Sequence, residues 1–176
     1  MRSPDTRPNE NEYASSFAGY VALVPEQEIL SVLAHQTDAL RKVVAGIPVE
    51  KELFRYAPGK WSVREVFGHM GDAERVFGYR AFSIARGEQA PLPGFDENAY
   101  VSCAEFDRHT LALLAGELFA LRESNLMLFR SLDEWAWLRT GIANRNPISV
   151  RALAYISAGH IRHHLKILKE RYGLEM

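Results

Sequence analysis

The sequence lacks the features that would indicate a disulfide framework or a nucleic-acid partner. It contains one cysteine, Cys103, so no disulfide can form within the chain, and this count suits a reducing compartment. Its 21 Lys and Arg residues are balanced by 22 Asp and Glu residues, which gives a net charge of −1. Because proteins that bind phosphate backbones usually carry a basic excess or a basic stripe, we expect no nucleic-acid partner.

Long hydrophobic runs are also missing from the sequence. The apolar stretch 17–24 ends at Pro25, whereas a transmembrane helix needs about 20 apolar residues. The N-terminus is polar and contains proline, unlike a signal peptide, in which a basic tip leads directly into an apolar core. We therefore expect a cytoplasmic protein with no membrane partner.

The composition and the hydrophobic pattern predict a helical domain. The chain has 176 residues, of which 47% are hydrophobic, and this is enough for one domain with a sizeable core. Four segments place apolar residues at the spacing of an amphipathic helix, and no series of alternating residues indicates a sheet. We predict an all-α bundle, with residues 1–24 as an extended N-terminal arm and residues 25–176 as the bundle domain.

Local signals predict the bounds of the first two helices. The first is expected over residues 25–47. Ser62 and Glu65 form a capping box, in which each side chain bonds a backbone N–H of the other residue, and this box predicts a helix that ends at Gly87. Residues 88–101 are rich in Pro, Gly, Asp and Asn, and we predict a loop there.

Similar signals predict the second half of the chain. Ser102 and Glu105 form a second capping box, which predicts a helix that ends at about residue 132. The last helix is expected over residues 149–173. Residues 133–148 make a long connection for a bundle, so we expect them to carry a short hairpin or to cover one end of the core.

Two histidines in the last predicted helix form a candidate metal site. His160 and His164 are four residues apart, on the face that also carries Leu153 and Ile167, so both imidazoles face the core. Imidazoles at this spacing can chelate one ion at about 2.0–2.1 Å. Without a partner, their buried polar atoms would be costly. His163 points away from this face, and we predict that it faces solvent.

A third ligand would have to come from another helix. His69 lies beside the apolar stripe of the second predicted helix, where a lone histidine is more often a satisfied core residue than a ligand. His35 in the first predicted helix and His109 on a polar face are the alternatives. Spacing does not choose among these three residues.

Three stretches of the sequence resemble the DinB/YfiT-like family. Residues 61–74, with the sequence WSVREVFGHMGDAE, resemble the signature of its second helix. Residues 95–100, FDENAY, resemble the loop that follows, and residues 159–164, GHIRHH, resemble its closing helix. The motifs occur in the order that is found in the family, and the resemblance extends over residues 25–173.

The resemblance implies a fold, a metal site and an assembly. The implied fold is an up-down-down-up four-helix bundle, usually a homodimer. The family's three-histidine metal site carries over to His69, His160 and His164, and His163 lies outside that triad. A divalent ion is expected there, with zinc or nickel preferred and iron or manganese as alternatives.

Such a site would be suited to catalysis. Three neutral imidazoles leave the ion its full charge and an open coordination position, where a water can lose its proton near pH 7. Asp72 and Glu65 flank His69 in the helix, and either can orient an imidazole or act as a general base. We take Asp72 as the candidate catalytic residue, because the capping box already uses Glu65. Asp72 can instead form an ion pair with Arg75 or Arg80.

Three functions fit this site, and the sequence leaves them open. The first is a metal-dependent hydrolase that acts on a small molecule. The second is a metal-dependent thiol S-transferase or isomerase, since proteins that this chain resembles use low-molecular-weight thiols such as bacillithiol or mycothiol. Arg151, Arg162 or Lys166 would then bind the carboxylates of the thiol. The third is a non-enzymatic metal-binding stress-response bundle, in which a fourth protein ligand closes the site.

Overall fold

The computed structural model describes residues 6–175. This part of the chain contains seven α-helices and one β-hairpin. The helices are α1 (Ala18–Ala22), α2 (Ile29–Gly46), α3 (Val63–Ala85), α4 (Glu97–Ala104), α5 (Leu111–Arg130), α6 (Glu134–Leu138) and α7 (Val150–Tyr172). Strands β1 (Thr140–Ala143) and β2 (Asn146–Ser149) pair in antiparallel register. Short 3-10 turns cover Glu10–Glu12, Ser15–Phe17, Val49–Lys51 and Phe106–Arg108.

The four long helices α2, α3, α5 and α7 form the bundle. Helix α3 packs against α5 and α7, and α2 packs against the same two helices, so α2 and α3 lie diagonally opposite each other. Helices α3 and α7 are antiparallel, because His69 meets His160 while Glu74 meets Ser157. Helices α3 and α5 run in the same direction. The all-α fold and the up-down-down-up order are therefore as predicted.

Helix α3 begins and ends where its sequence signals predicted. The Ser62 hydroxyl accepts a hydrogen bond from the Glu65 backbone N–H at 3.0 Å, and the Glu65 carboxylate accepts one from the Ser62 backbone N–H at 2.7 Å. Gly87 follows the helix with a φ of 89°, a conformation that glycine adopts without strain. The first bundle helix, α2, begins at Ile29, four residues later than predicted.

The second predicted capping box is wrong. Helix α4 begins earlier, at Glu97, and is capped by Asp96, whose carboxylate accepts hydrogen bonds from two backbone N–H groups of the first turn. Ser102 therefore lies inside α4, in a segment predicted partly as a loop. Glu105 has a left-handed φ of 49° and follows the end of that helix. Helix α5 is instead capped by Thr110, whose hydroxyl accepts a hydrogen bond from the Leu113 backbone N–H.

The N-terminal segment is not extended, in contrast to the prediction for residues 1–24. Residues 10–22 form two 3-10 turns and α1, and α1 packs against α7. Val21 and Val24 are fully buried in the hydrophobic core. The Glu12 carboxylate accepts hydrogen bonds from the Ser149 hydroxyl at 2.7 Å and from Arg151. Residues 1–5 of the predicted arm lie outside the described residues.

The connection between α5 and α7 contains α6 and the β1–β2 hairpin, as predicted for residues 133–148. Leu92, in the loop after α3, donates a backbone hydrogen bond to Ile142 of β1 at 2.8 Å. The hairpin therefore anchors this loop over one end of the bundle. Within residues 6–175, no helix combines the length and the apolar character that a membrane span requires.

A polar layer divides the core of the bundle at mid-height. One hydrophobic cluster contains Ala73 and Phe77 of α3, and the other contains Val66 and Met70 of the same helix. Between the two clusters, every bundle helix contributes a buried polar side chain. These side chains belong to Gln36, His69, Glu74, Arg122, Ser157, His160 and His164.

Candidate metal centre

Helices α3 and α7 bring three histidines together in the buried polar layer. The Nε2 atoms of His69 and His160 are 3.0 Å apart, and so are those of His164 and His160. All three side chains are buried, and one ligand atom from each lies within 4.8 Å of the others. The helical repeat places His160 and His164 on one face of α7, toward α3. The structure thus brings together the triad that the resemblance implied.

The three converging nitrogens fit a metal ion better than a hydrogen-bonded cluster. A neutral imidazole nitrogen carries either one proton or one lone pair in the plane of its ring. The His160 Nε2 atom can therefore form one linear hydrogen bond, although two nitrogens lie 3.0 Å from it. Two imidazole nitrogens that bind one ion at about 2.0–2.1 Å are themselves roughly 3 Å apart, as here.

Burial keeps all three imidazoles neutral at pH 7. It lowers the pKa of His69 to about 4. Burial and the neighbouring histidines hold the pKa values of His160 and His164 well below the ordinary value of histidine. Because a metal ion binds the neutral imidazole, the triad requires no deprotonation at neutral pH before it can act as a ligand set.

A hydrogen-bonded network fixes the turn of α7 that precedes His160. Arg122 of α5 forms two hydrogen bonds with the Glu74 carboxylate, at 2.9 and 2.8 Å. The Ser157 hydroxyl donates to the same carboxylate at 2.6 Å, and the Gln36 side chain donates to the Ala158 carbonyl oxygen at 3.0 Å. The backbone on which His160 stands is therefore held by α2, α3 and α5 together.

A cavity of about 230 Å³ opens onto His69 and His160. The N-terminal segment forms one wall of it with Phe17 and Tyr20, and the Tyr20 ring contacts His160 edge-on at 5.4 Å between centroids. Arg80 of α3 lines the same cavity. The triad is therefore accessible to a molecule of limited size.

Other residues border this cavity and the opposite side of the triad. Phe95, Glu97 of α4 and Asn144 of the hairpin line the same cavity. On the other side, a cavity of about 220 Å³ reaches His164 beside Trp61. A larger groove of about 620 Å³ between α2 and α7 does not contain the triad.

The other histidines do not join the triad. His163 is half-buried rather than solvent-facing, since its ring contacts Tyr20 at 5.2 Å and His164 at 5.1 Å between centroids. His35 is exposed on α2, and its Nδ1 atom lies 3.3 Å from the Ser31 hydroxyl. His109 is exposed at the end of a 3-10 turn.

The acidic residues that flank His69 in the sequence lie away from the triad. Asp72 is on the side of α3 that faces α5, and its carboxylate lies 3.6 Å from the Arg75 guanidinium. Burial raises the pKa of Asp72, but the residue does not line the cavity at the triad. Glu65 is used by the capping box and by an ion pair with Arg55. The catalytic role of Asp72 stays a prediction.

The basic residues that were expected to bind a thiol are paired within the chain. Arg151 forms an ion pair with Glu12, and Arg162 forms one with Glu26 at 2.8 Å. Lys166 lies 3.9 Å from the Glu170 carboxylate one turn later. Across residues 6–175, no fourth His, Cys, Asp or Glu joins the three histidines as a potential ligand.

Sequence reasoning missed several residues of the cavity wall, among them Arg80 and Tyr20. Arg80 was considered only as an ion-pair partner of Asp72, although it follows His69 by 11 positions, or about three helical turns, on the same face of α3. That spacing is a signal that could have found it. Tyr20 had no such signal, because the path of the N-terminal segment depends on its contacts with α7.

Comparison with known proteins identifies the fold and the family. YfiT from Bacillus subtilis, a probable metal-dependent hydrolase with an unusual four-helix bundle topology, superposes with a TM-score of 0.74 at 18% identity, over 96% of this chain and 94% of that one. A mycothiol-dependent maleylpyruvate isomerase superposes with a TM-score of 0.62 at 14% identity, over 78% of this chain and 58% of that one. No curated protein matches the sequence significantly. The family model of the DinB superfamily matches residues 33–168, and the chain therefore belongs to the DinB superfamily.

Proposed function

We propose that the protein is a metal-dependent hydrolase that acts on a small molecule, with a divalent ion bound by His69, His160 and His164. The observation that carries this proposal is the convergence of three buried imidazole nitrogens beside an open cavity. A bound ion would polarise a substrate oxygen and supply a water nucleophile near neutral pH. Zinc or nickel would suit the three nitrogen ligands best, with iron or manganese as alternatives.

The residues around the triad would prepare the site for such chemistry. The network of Glu74, Arg122 and Ser157 holds the α7 turn that carries His160, and this rigidity would keep two ligands at a fixed distance. Tyr20 and Phe77 contact the His160 ring edge-on and would hold it in position. With no fourth protein ligand among the described residues, a coordination position would remain for substrate.

A thiol-dependent S-transferase or isomerase is the second candidate. The fold is shared with a mycothiol-dependent isomerase, and the same open position would accept a thiolate. The cavity at the triad is small, at about 230 Å³, so a thiol would enter by its sulfur end. The two candidates differ in one observable, since the hydrolase needs metal alone whereas the transferase needs metal and an added thiol.

The first test is the metal content of untagged protein purified without a nickel column. We expect about one equivalent of metal per chain, and its loss in His160→Ala. The matched control is His109→Ala, which removes an exposed histidine outside the triad and should leave the metal content unchanged. Failure of the wild type to bind metal, even after dialysis against zinc, would overturn the proposal.

A second test concerns the reaction and the assembly. Metal-loaded and metal-free protein would be assayed against a panel of small esters, amides and lactones, with and without a low-molecular-weight thiol. Turnover that requires metal but no thiol supports the hydrolase, and turnover that appears only with the thiol supports the second candidate.

The proposal includes a homodimer in the cytoplasm, and light scattering of the purified protein tests the dimer.

A further inference from the structure

The described residues contain two buried arginines, and they differ in their partners. Arg122 is 2% exposed and forms two hydrogen bonds with the Glu74 carboxylate. Arg80 is 3% exposed, yet its one hydrogen bond within residues 6–175 goes from Nη2 to the carbonyl oxygen of Pro93 at 2.8 Å. No carboxylate of the described chain pairs with it. A buried guanidinium without an anion is costly unless a ligand supplies one.

The unused donors of Arg80 are open to the cavities that this side chain lines. Every fully buried side-chain nitrogen or oxygen atom of the described residues has a hydrogen-bond partner. Since only Nη2 of Arg80 has one, its remaining N–H groups must reach open space. Arg80 lines the cavity with His69 and His160. It also lines a second cavity of about 270 Å³ beside Tyr79 and Tyr100. Burial lowers the pKa of Arg80, but arginine stays protonated in proteins.

The position of the guanidinium is fixed by three segments of the fold. Arg80 stands on α3 and donates to Pro93 in the loop that the hairpin anchors. The Asn144 backbone N–H at the hairpin turn donates to the Leu92 carbonyl oxygen at 3.0 Å. A side chain on Gly94 would overlap the Asn144 amide, so the loop and the turn fit closely. Arg80 is thus held in place beside the cavity.

We propose that Arg80 binds a carboxylate group of the substrate, so that the site takes a small carboxylic acid whose reactive group meets the triad. This inference rests on the proposed function of the same site. The guanidinium fork matches the two oxygens of a carboxylate. Glu97 lines the cavity as well without pairing with Arg80, and its negative charge would disfavour a doubly charged phosphate more than a singly charged carboxylate.

The geometry also indicates an elongated molecule. Arg80 follows His69 by 11 residues, or about 16 Å along the axis of α3. Helical side chains lean toward the N-terminus, and because the Arg80 side chain is longer than that of His69, its guanidinium can lie nearer to the triad than the spacing of the two residues along the axis. The carboxylate and the reactive group should therefore lie at opposite ends of the substrate.

A series of thiol probes tests this inference on zinc-loaded protein. Mercaptoalkanoates from mercaptopropionate to mercaptooctanoate would be compared by calorimetry with mercaptoalkanols of the same length, because the thiol can bind the zinc while the other end reaches Arg80. We expect at least one carboxylate to bind about tenfold more tightly than its alcohol. The variant Arg80→Met should remove that preference.

The control variant is Arg86→Met. Arg86 follows the same helix, and its guanidinium lies over the exposed Phe82 ring. This variant should keep the preference. A merely structural role for Arg80 would lower the melting temperature of Arg80→Met without changing the ratio of the two dissociation constants. An equal affinity for carboxylate and alcohol at every chain length would overturn the inference while leaving the metal site intact.

A metal-free measurement separates this inference from the proposed function. Alkanoates without a thiol would be titrated into metal-free protein while the Arg80 Nε–H signal is followed by NMR, with Arg80→Met to assign it. A saturable shift with alkanoates but not with alkanols supports the carboxylate site even if zinc does not bind. No shift with either class would count against Arg80 as an anion-binding residue.

Discussion

Glu74 and Arg122 form a fully buried ion pair next to the turn of α7 that carries His160. Burial alone would raise the pKa of Glu74, but Arg122 and the hydrogen bonds from Ser157 and Asn125 hold it below the ordinary value of glutamate. The carboxylate therefore stays charged at neutral pH. Such a pair fixes geometry, because each charge would be costly in this environment without the other.

Removing one member of this pair should destabilise the protein strongly. In Glu74→Gln the Arg122 charge remains buried without an anion, and we expect a loss of about 3–5 kcal/mol in the free energy of unfolding. The control is Glu123→Gln, which breaks an exposed ion pair with Arg41 and should cost less than about 1 kcal/mol. Urea unfolding of the three proteins measures both values. Similar losses of stability in the two variants would contradict the conclusion that the buried Glu74–Arg122 pair matters more to stability than an exposed pair.

At the scale of elements, similar capping signals had different outcomes. Ser62 and Glu65 cap α3 as their spacing predicts. Ser102 and Glu105 have the same spacing, yet Asp96 caps α4 six residues earlier and places Ser102 inside it. Because each signal is local, the sequence cannot show which of several competing caps the tertiary contacts favour. The hydrophobic stripes of the long helices involve many residues, so the bundle itself was predictable.

The N-terminal segment shows the same limit. Its apolar residues are too few to form a stripe, and its position depends on a close approach between α1 and α7. A Cβ atom on Gly159 would overlap the Tyr20 carbonyl oxygen. Glycine at 159 therefore lets the backbone of α1 touch α7 directly, and this contact places Tyr20 over the triad.

Replacing this glycine should displace the N-terminal segment. We expect Gly159→Ala to cost about 1–3 kcal/mol, because the obstructing atom belongs to a backbone and not to a flexible side chain. Gly116→Ala is the matched control, since Gly116 lies within α5 with open space around it and alanine should stabilise that helix by about 0.5–1 kcal/mol. Urea unfolding of the two variants measures whether each substitution raises or lowers the free energy of unfolding. Stabilisation by both substitutions would show that α1 does not need this contact.

At the scale of the whole molecule, the site combines predictable and unpredictable parts. The spacing of His160 and His164 placed both imidazoles on the core face of the last helix, and the structure agrees. The choice of His69 over His35 and His109 came from the family resemblance, since spacing within one helix carries no information about its neighbour. Part of the cavity wall comes from segments far apart in sequence, so Tyr20 became visible as a site residue only in three dimensions, whereas the spacing of Arg80 from His69 was a usable signal.

The buried triad should also make the stability of the metal-free protein depend on pH. In the unfolded chain a histidine has a pKa near 6.5. In the folded protein, burial lowers the pKa of His69 to about 4 and also lowers the pKa values of His160 and His164. Between these values the unfolded state binds more protons than the folded state. The free energy of unfolding therefore falls as the pH falls below about 6.5. Asp72, whose pKa is raised by burial, acts in the opposite direction.

Urea unfolding of metal-free protein between pH 7.5 and 4.5 would measure this dependence. His69 alone should contribute on the order of 1–3 kcal/mol over the window, because one pKa unit corresponds to about 1.4 kcal/mol. The variant His69→Gln cannot take up a proton at this position, so its stability should fall less steeply with decreasing pH. Above about pH 5.5 the stability of Glu74→Gln should keep the wild-type slope, since a glutamate in the unfolded chain takes up protons only near its ordinary pKa of about 4.3 and the pKa of Glu74 in the folded protein is lower still. A flat profile for the wild type would mean that the three imidazoles are accessible to protons in the folded state, and that the site is more open to water than its burial indicates.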